Sequence, residues 1–299
     1  MKINIYRIAA IMTCHNRKSS TIACIKSLLD GGNENDITVY MVDDGCTDGT
    51  AESVQQLFPK VNIIKGSGNL FWNRGMYCGF KQAVKDKYDF YLWINDDVML
   101  YPNAVDNLIC AYLEKSLKKS DIIITGPLMN KEGNINTYGG FGPVRSIKPY
   151  EVRRIYLSKI YQRCLIFHGN CVLIPQAVVD KIGLNDPYYQ HGYGDVDYSL
   201  MAAKSGCECW LPNFAVGTCE RHDESFDFLK PNLPIHIRFK NLHSKINHPY
   251  RDEFHFVRKF YGVWWPYKFI SPDVRIIISS LSYKLKHNIC NLFIKKIGR

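Results

Sequence analysis

The chain has 299 residues, 46% of them hydrophobic and 22% charged, in the proportions of an ordinary globular protein. That length suits one large α/β domain with an appendage, or two modest domains. A net charge of +10 suits an anionic partner such as nucleotide phosphates or a headgroup surface. With no arginine-rich tract or recognisable nucleic-acid module beside it, nucleic acid is disfavoured.

Eleven scattered cysteines, with no C-x-x-C pair, read as reduced and mostly buried thiols of a cytoplasmic chain. Cys207, Cys209, Cys219 and His222 fit no standard zinc spacing. Met1 to Ala10 lacks the apolar core of a signal peptide, and no run approaches the roughly 20 apolar residues of a membrane span. The expectation is a protein that is neither exported nor inserted across a bilayer.

The first half alternates strands and helices. Ile5–Met12 is an apolar run ending at polar Thr13–Arg17, and a helical pattern through Ile22, Ile25, Leu28 and Leu29 closes at Gly31-Gly32. Ile37–Val42 reads as a second strand ending in Asp43-Asp44-Gly45, with Asp48-Gly49-Thr50 opening a helix. Val61–Lys65 is a short strand and Tyr77–Lys85 a helix, and Tyr88–Ile94 is a strand running into Asn95-Asp96-Asp97. Further on come a strand at Ile122–Gly126, an interrupted strand at Cys164–Ile174 and helices at Gln176–Ile182 and Tyr198–Ser205. This order predicts a mainly parallel sheet covered on both faces.

Three polar clusters, Thr13–Arg17, Asp43-Asp44 and Asn95-Asp96-Asp97, fall at strand C-termini, the edge of an open α/β sheet where ligands bind. Neither G-x-G-x-x-G nor G-x-x-x-x-G-K-[ST] follows the first strand, so a dinucleotide site and a P-loop are disfavoured. Asp96 and Asp97 are the acidic couplet that Mg²⁺ or Mn²⁺ needs to neutralise a departing diphosphate, although an N-cap role would also explain an Asp there. A carboxylate in the Val42-Asp43-Asp44-Gly45-Cys46-Thr47-Asp48-Gly49-Thr50 run can accept a hydrogen bond from a pyrimidine ring N–H, while Thr47 or Asp48 can simply cap the following helix.

Together, Ile11-Met12-Thr13-Cys14-His15-Asn16-Arg17, the V-D-D-G-C-T-D-G-T run and Asn95-Asp96-Asp97 resemble family 2 glycosyltransferases of the GT-A fold. Gly68–Met76, Gly169-Asn170 and Gly192–Tyr198 resemble a rhamnosyltransferase-like subset that builds bacterial surface polysaccharides such as O-antigen or capsule. The resemblance covers roughly residues 5–225. It implies a GT-A domain over residues 1–225, with a nucleotide-binding half (1–125) and an acceptor-binding half (126–225). Residues 226–299 form a helical, basic extension.

The resemblance also implies roles. Thr13, His15 and Arg17 belong to the nucleotide site, with Asp44 reading the pyrimidine, Arg74 approaching the nucleotide and Asp96 near the ribose. Asp97 ligates the Mg²⁺ or Mn²⁺ ion, and His222 is a further ligand candidate. Trp72, Gly169, Asn170, His191 and Tyr193 line the sugar or acceptor pocket, though Trp72 also suits a core position. Asp195 is the catalytic base, with Asp197 as second choice. Most of the family carries Glu before that aspartate, where this chain has Gly194; Asp197 could alternatively cap a helix starting at Tyr198.

The implied reaction is an inverting displacement from a UDP- or dTDP-sugar, dTDP-rhamnose among them, onto a hydroxyl of a glycan or lipid-linked acceptor. The rivals are a sugar-nucleotide nucleotidyltransferase and a non-catalytic binding relic. The first would carry a Gly-rich loop where Thr13–Arg17 has no glycine; the second would often lose Asp96, Asp97 or Asp195.

In the tail, Val274, Ile277, Ile278, Leu281, Leu285, Ile289 and Leu292 recur at helical spacing, flanked by Arg275, Lys284, Lys286, Lys295, Lys296 and Arg299. Trp264, Trp265 and Tyr267 lie just upstream. This pattern predicts a helix over residues 273–299 lying in a headgroup layer, hence a cytoplasmic protein peripheral at the inner membrane face. Packing on the catalytic domain or against a second subunit would account for the same stripe.

Overall fold

The computed structural model describes residues 5–147, 149–221, 227–245 and 247–297, with side chains as far as residue 287. Two compact units divide the chain, 1–221 and 222–299.

In the first unit, β1 (Arg7–Cys14), α1 (Lys18–Leu29), β2 (Asp36–Asp43), α2 (Thr50–Leu57), β3 (Asn62–Lys65), α3 (Phe71–Ala83) and β4 (Phe90–Ile94) alternate as the apolar runs predict. After β5 (Met99–Leu100), α4 (Ala104–Lys115) and β6 (Ile122–Thr125) come short strands: β7 (Leu128–Met129), β8 (Asn136–Tyr138), β9 (Gly140–Pro143), β10 (Val152–Ile155), β11 (Gln162–Cys164) and β12 (Ile166–Phe167). The unit ends with β13 (Cys171–Pro175), α5 (Gln176–Ile182), α6 (Gly194–Lys204), β14 (Glu208–Leu211) and β15 (Gly217–Thr218).

The eight-stranded sheet runs β11-β14-β6-β13-β4-β1-β2-β3. β1 pairs in parallel with β2 and β4, β2 with β3, and β6 with β14. β13 is antiparallel to both β4 and β6. Strict alternation along β1 sends Ile8, Ala10 and Met12 to one apolar layer and Ala9 and Ile11 to the other. Both faces are therefore covered, which is why these strands read as continuous apolar runs.

Three expectations change on contact with the structure. The stretch Cys164–Ile174 is three strands rather than one interrupted strand, and β12 belongs to a separate sheet with β9 and β10. Helix α3 begins at Phe71, six residues before the expected Tyr77. Gly75 and Gly79 are poor helix formers but essential here: a Cβ on Gly75 would sit 2.3 Å from Thr13 Oγ1, and one on Gly79 2.8 Å from Ile11 Cγ2. The glycines let α3 lie directly on β1. Finally, α6 starts at Gly194 rather than Tyr198, so Asp195 and Asp197 both fall in its first turn.

The second unit packs α7 (Ile235–Leu242) and α8 (Tyr250–Phe260) against α9 (Trp265–Ile297). Helix α9 starts eight residues before the expected Asp273 and runs through Pro272. The carbonyl of Lys268, which Pro272 cannot reach for want of an N–H, accepts a hydrogen bond from Ser271 Oγ at 3.2 Å. Buried Arg238 of α7 donates to the Phe228 and Ile276 carbonyls and to Ser279 and Ser280 Oγ, so α9 turns that side inward. Ile276 is buried, whereas Val274, Ile277, Ile278, Leu281 and Leu285 face outward at 41–64% exposure. The side chains of Ile289 and Leu292 lie outside the described residues.

Glu253 of α8 is only 3% exposed, and its Oε2 is buried with no hydrogen-bond partner among the described residues. Its Oε1 lies 3.8 Å from His248 Nδ1. Burial holds that imidazole at about 4, so it is neutral at pH 7 and offers no ion pair. Burial first, then the Asp273 charge, pushes Glu253 up to about 8 from 4.5, with Lys268 opposing. On Glu253 the folded unit therefore holds a proton that the unfolded chain gives up, which lowers stability as pH rises from about 4.5 to about 8. The neutral His248 raises stability up to about 6.5, so the net fall lies between about 6.5 and about 8. Glu253→Gln is expected to flatten that fall and to stabilise the unit above pH 8. Urea denaturation across the range checks this; a wild-type profile already flat between those values would contradict it.

Candidate active site

The strand register builds the site. Cys14 pairs with Asp43 and Asp43 with Lys65, so β1, β2 and β3 end side by side. β4 ends at the same edge. Because β13 is antiparallel and starts with Cys171 opposite Ile94, the turn His168-Gly169-Asn170 arrives at that edge as well. The Asn170 carbonyl accepts the Asn95 N–H at 2.9 Å. Topology thus brings residues 168–170 beside Asn95-Asp96-Asp97.

At the end of β1, His15 is exposed, and its Nδ1 lies 2.7 Å from the Asp44 carbonyl oxygen. Asn16 has a positive φ of 51°, and its Oδ1 accepts the Thr47 N–H at 2.7 Å. Thr13 Oγ1 contacts the Val42 carbonyl at 3.4 Å. These bonds stitch the loops after β1 and β2 into one ledge. Asp48 accepts the Thr50 N–H at 3.1 Å, but the N-cap of α2 is Gly49, so neither Thr47 nor Asp48 caps that helix.

Asp44 is buried at 4% exposure. Its Oδ1 accepts the Gly68 N–H at 2.8 Å, and its Oδ2 accepts those of Leu70 and Phe71 at 2.8 and 3.0 Å. Three of roughly four carboxylate acceptor positions are so engaged. Asp44 thus anchors the start of α3 and keeps about one lone pair for a ligand. Arg74 donates to the Pro187 and Tyr188 carbonyls at 3.1 Å each, tying α3 to the segment before α6.

Arg17 clasps the acidic couplet. Its Nη1 lies 3.0 Å from Asp96 Oδ1 and its Nη2 lies 2.7 Å from Asp97 Oδ2. Asp96 is buried, and Thr21 Oγ1 donates to its Oδ2 at 3.4 Å. Burial pushes the Asp96 carboxyl up to about 6; Arg17 works against that shift and the Asp97 charge adds to it.

Asp195 accepts the Gly169 N–H at 3.0 Å on Oδ2 and the Val196 N–H at 2.8 Å on Oδ1. Burial pushes this carboxyl upward, against those two bonds. A Cβ on Gly169 would sit 2.4 Å from the Trp72 ring, and Trp72 Nε1 donates to Asn95 Oδ1 at 2.8 Å. Trp72 is accordingly a wall of the same turn. His191, whose Nδ1 is buried without a hydrogen-bond partner among the described residues, packs edge-on against Phe71 at 6.2 Å. Tyr193 is the N-cap of α6, with φ 66°. Asp197 is 2% exposed and accepts the Tyr189 hydroxyl at 2.8 Å. Its place in the first turn of α6 overturns the idea that it caps a helix starting at Tyr198.

The fold also explains the glycine before Asp195. A Cβ on Gly194 would lie 1.9 Å from Asn73 Oδ1. Asn73 is fully buried and donates to the Asp186 and Tyr189 carbonyls at 2.8 and 2.9 Å, while Asn185 donates to it.

Sequence reasoning set Cys219 aside with a zinc grouping of no standard spacing, and gave Asn95 and Asn73 no role although both lie in the motifs that carry the resemblance. Cys219 Sγ donates to Asp97 Oδ1 at 3.4 Å and faces Asn170 Nδ2 at 4.0 Å. It thereby links the couplet to the turn whose Gly169 N–H holds Asp195. Nothing in the spacing around Cys219 marks it. His222 lies outside the described residues, so its ligand role is not described. Cys209 lies opposite Cys164 in the β11–β14 pair.

The fold is that of the GT-A class. The solved structure of GalNAc-T7 with UDP, GalNAc and Mn²⁺ matches at TM-score 0.55 and 11% identity, over 86% of this chain and 51% of that one. Staphylococcus aureus (S. aureus) TarS matches at TM-score 0.51 and 14% identity, over 79% and 42%. The chain spans about half the length of these structures or less. No curated protein sequence matches it significantly. The model of glycosyl transferase family 2 matches residues 9–183, and the chain belongs to that family.

Proposed function

We propose that the chain is an inverting glycosyltransferase that moves a sugar from a UDP- or dTDP-linked donor, dTDP-rhamnose among the candidates, to a hydroxyl of a glycan or lipid-linked acceptor. The observation that carries this reading is one turn, Gly169-Asn170, bonded to the Asp195 carboxylate on one side and, on the other, to the Asn95 backbone that leads into the couplet and through Cys219 to Asp97. Asp195 takes the proton of the acceptor hydroxyl, whose oxygen attacks the anomeric carbon opposite the departing diphosphate. Asp197, engaged by the Tyr189 hydroxyl, is the weaker base. A single carboxylate in that position supports one displacement, with inversion.

His15, Thr13 and Asp44 form the ledge for the nucleoside, and Asp96 sits where a ribose would be held. Trp72, Gly169, Asn170, His191 and Tyr193 shape the sugar and acceptor side. Oxygen donors beside a guanidinium clasp suit a hard divalent ion, because that site already holds a cation. Asp97 would hold Mg²⁺ or Mn²⁺, which neutralises charge on the leaving diphosphate. Asp97→Asn and EDTA should each cut transfer by orders of magnitude, with the variant's melting temperature nearly unchanged. Full activity in either case would sink the metal assignment, and Arg17 would then be the countercharge.

The α9 stripe supports a peripheral membrane contact. Its outward apolar residues are bordered by basic ones, and residues 273–299 carry six basic side chains against Asp273. Each basic residue near an anionic leaflet is worth about 1 kcal/mol. Truncating at Ser271 would strip Arg238 of three of its acceptors, so surface substitution is the cleaner test. Ile278→Glu with Leu281→Glu and Leu285→Glu should abolish co-sedimentation with anionic vesicles at low salt; equal sedimentation of the triple variant would dismiss the contact. Among the described residues, no helix is long and apolar enough to cross a membrane.

A further inference from the structure

Cys219 directly follows β15, a two-residue strand held between β5 and β7. Its thiol is 3% exposed and points at Asp97, with Sγ 3.4 Å from Oδ1, while Arg17 occupies Oδ2 of the same carboxylate. A conventional buried cysteine packs against apolar groups. This one shares an aspartate with the cation that a divalent ion would replace.

The spacing is that of two ligands on one ion. Metal–sulfur bonds of about 2.3 Å and metal–oxygen bonds of about 2.0–2.2 Å at a tetrahedral angle place S and O roughly 3.5 Å apart. The pair therefore needs little movement to share an ion. Asn170 Nδ2, 4.0 Å from the sulfur, is a donor placed to face the thiolate that binding would create.

We propose that Cys219 is a ligand of the divalent ion held by Asp97. The site would then favour thiophilic ions such as Zn²⁺, Co²⁺ and Cd²⁺ far more than an all-oxygen site does, at the expense of Mg²⁺. As sulfur binds the ion, the S–H bond breaks and its proton passes to solvent. This inference rests on the reading of Asp97 as a metal ligand.

The test titrates Co²⁺ and Cd²⁺ into the full chain and follows the near-ultraviolet thiolate-to-metal charge-transfer band. Wild type, Cys219→Ser, Asp97→Asn and Cys46→Ser are compared, the last because Cys46 and Cys14 place their sulfurs 3.9 Å apart. Cys219→Ser is expected to lose the band and at least tenfold in Cd²⁺ affinity while keeping its Mg²⁺ affinity. Cys46→Ser should keep the band. If Cys219→Ser retains both band and affinity while Asp97→Asn loses ion binding, the cysteine is no ligand although the Asp97 reading stands. If Asp97→Asn binds ions like wild type while Cys46→Ser also leaves binding unchanged, so that the group Cys14, Asp43 and Cys46 is not the ion's site, the Asp97 reading itself is overturned.

Discussion

Asp195→Asn is expected to lower glycosyl transfer by roughly 10²–10⁴-fold, the span of a general base, with donor affinity near that of the wild type. The amide keeps the carboxylate's shape, but of the Gly169 and Val196 N–H groups that meet its two oxygens one must now face an NH₂. That mismatch costs about 1 kcal/mol, so a modest drop in melting temperature accompanies a large drop in rate. Asp197→Ala should do the reverse. It orphans the buried Tyr189 hydroxyl, reducing stability while each folded molecule still transfers sugar. A healthy Asp195→Asn beside an inactive, folded Asp197→Asn would move the base to Asp197. Product with retained anomeric configuration would end the single-displacement mechanism altogether.

Gly194→Glu, which restores the residue most of the family carries, is expected to be among the most damaging single substitutions in the first unit. The new Cβ would meet Asn73 1.9 Å away, inside a hydrogen-bonded cluster with Asp186, Tyr189 and Asn185. Asn73 cannot swing aside without leaving buried carbonyls unsatisfied. Overpacking costs about 1–3 kcal/mol and each orphaned group a similar amount, so a loss on the order of 4 kcal/mol or more is expected. Because Asn73→Gly orphans those same carbonyls but opens the space, the double variant Gly194→Glu with Asn73→Gly is expected to lose less in urea denaturation than the sum of the two single losses. Equal stability of the single variant and the wild type would mean that Asn73 does not dictate the glycine.

Much of this site is legible in sequence because parallel strands advertise their ends. β1, β2 and β4 are apolar until they stop, and each gives way at once to polar residues, so Thr13–Arg17, Asp43-Asp44 and Asn95–Asp97 declare a shared edge. Pairing is not legible in the same way. No periodicity announces that β13 runs antiparallel, and that reversal is what delivers Gly169-Asn170 to the couplet. Helix starts also escaped. Gly75 and Gly194 speak against helix locally, yet each is required by a tertiary approach, to Thr13 and Asn73 respectively. In α9 the apolar stripe is plain at helical spacing, but its outward direction depends on Arg238, whose partners on α9 are serines and a carbonyl.

The clasp of Arg17 on Asp96 and Asp97 cancels one of the couplet's two negative charges, where both carboxylates uncompensated would repel an anion more strongly. On the proposed reading, an ion arriving at Asp97 competes with Nη2 for that carboxylate's charge, and the guanidinium it loosens becomes a cation beside the place where a diphosphate is received. Ion and nucleotide then bind as linked events rather than independent ones. Each strengthens the other's affinity by the same factor, as thermodynamic reciprocity demands. Replacing Arg17 by a neutral residue would change that factor more than either affinity measured alone.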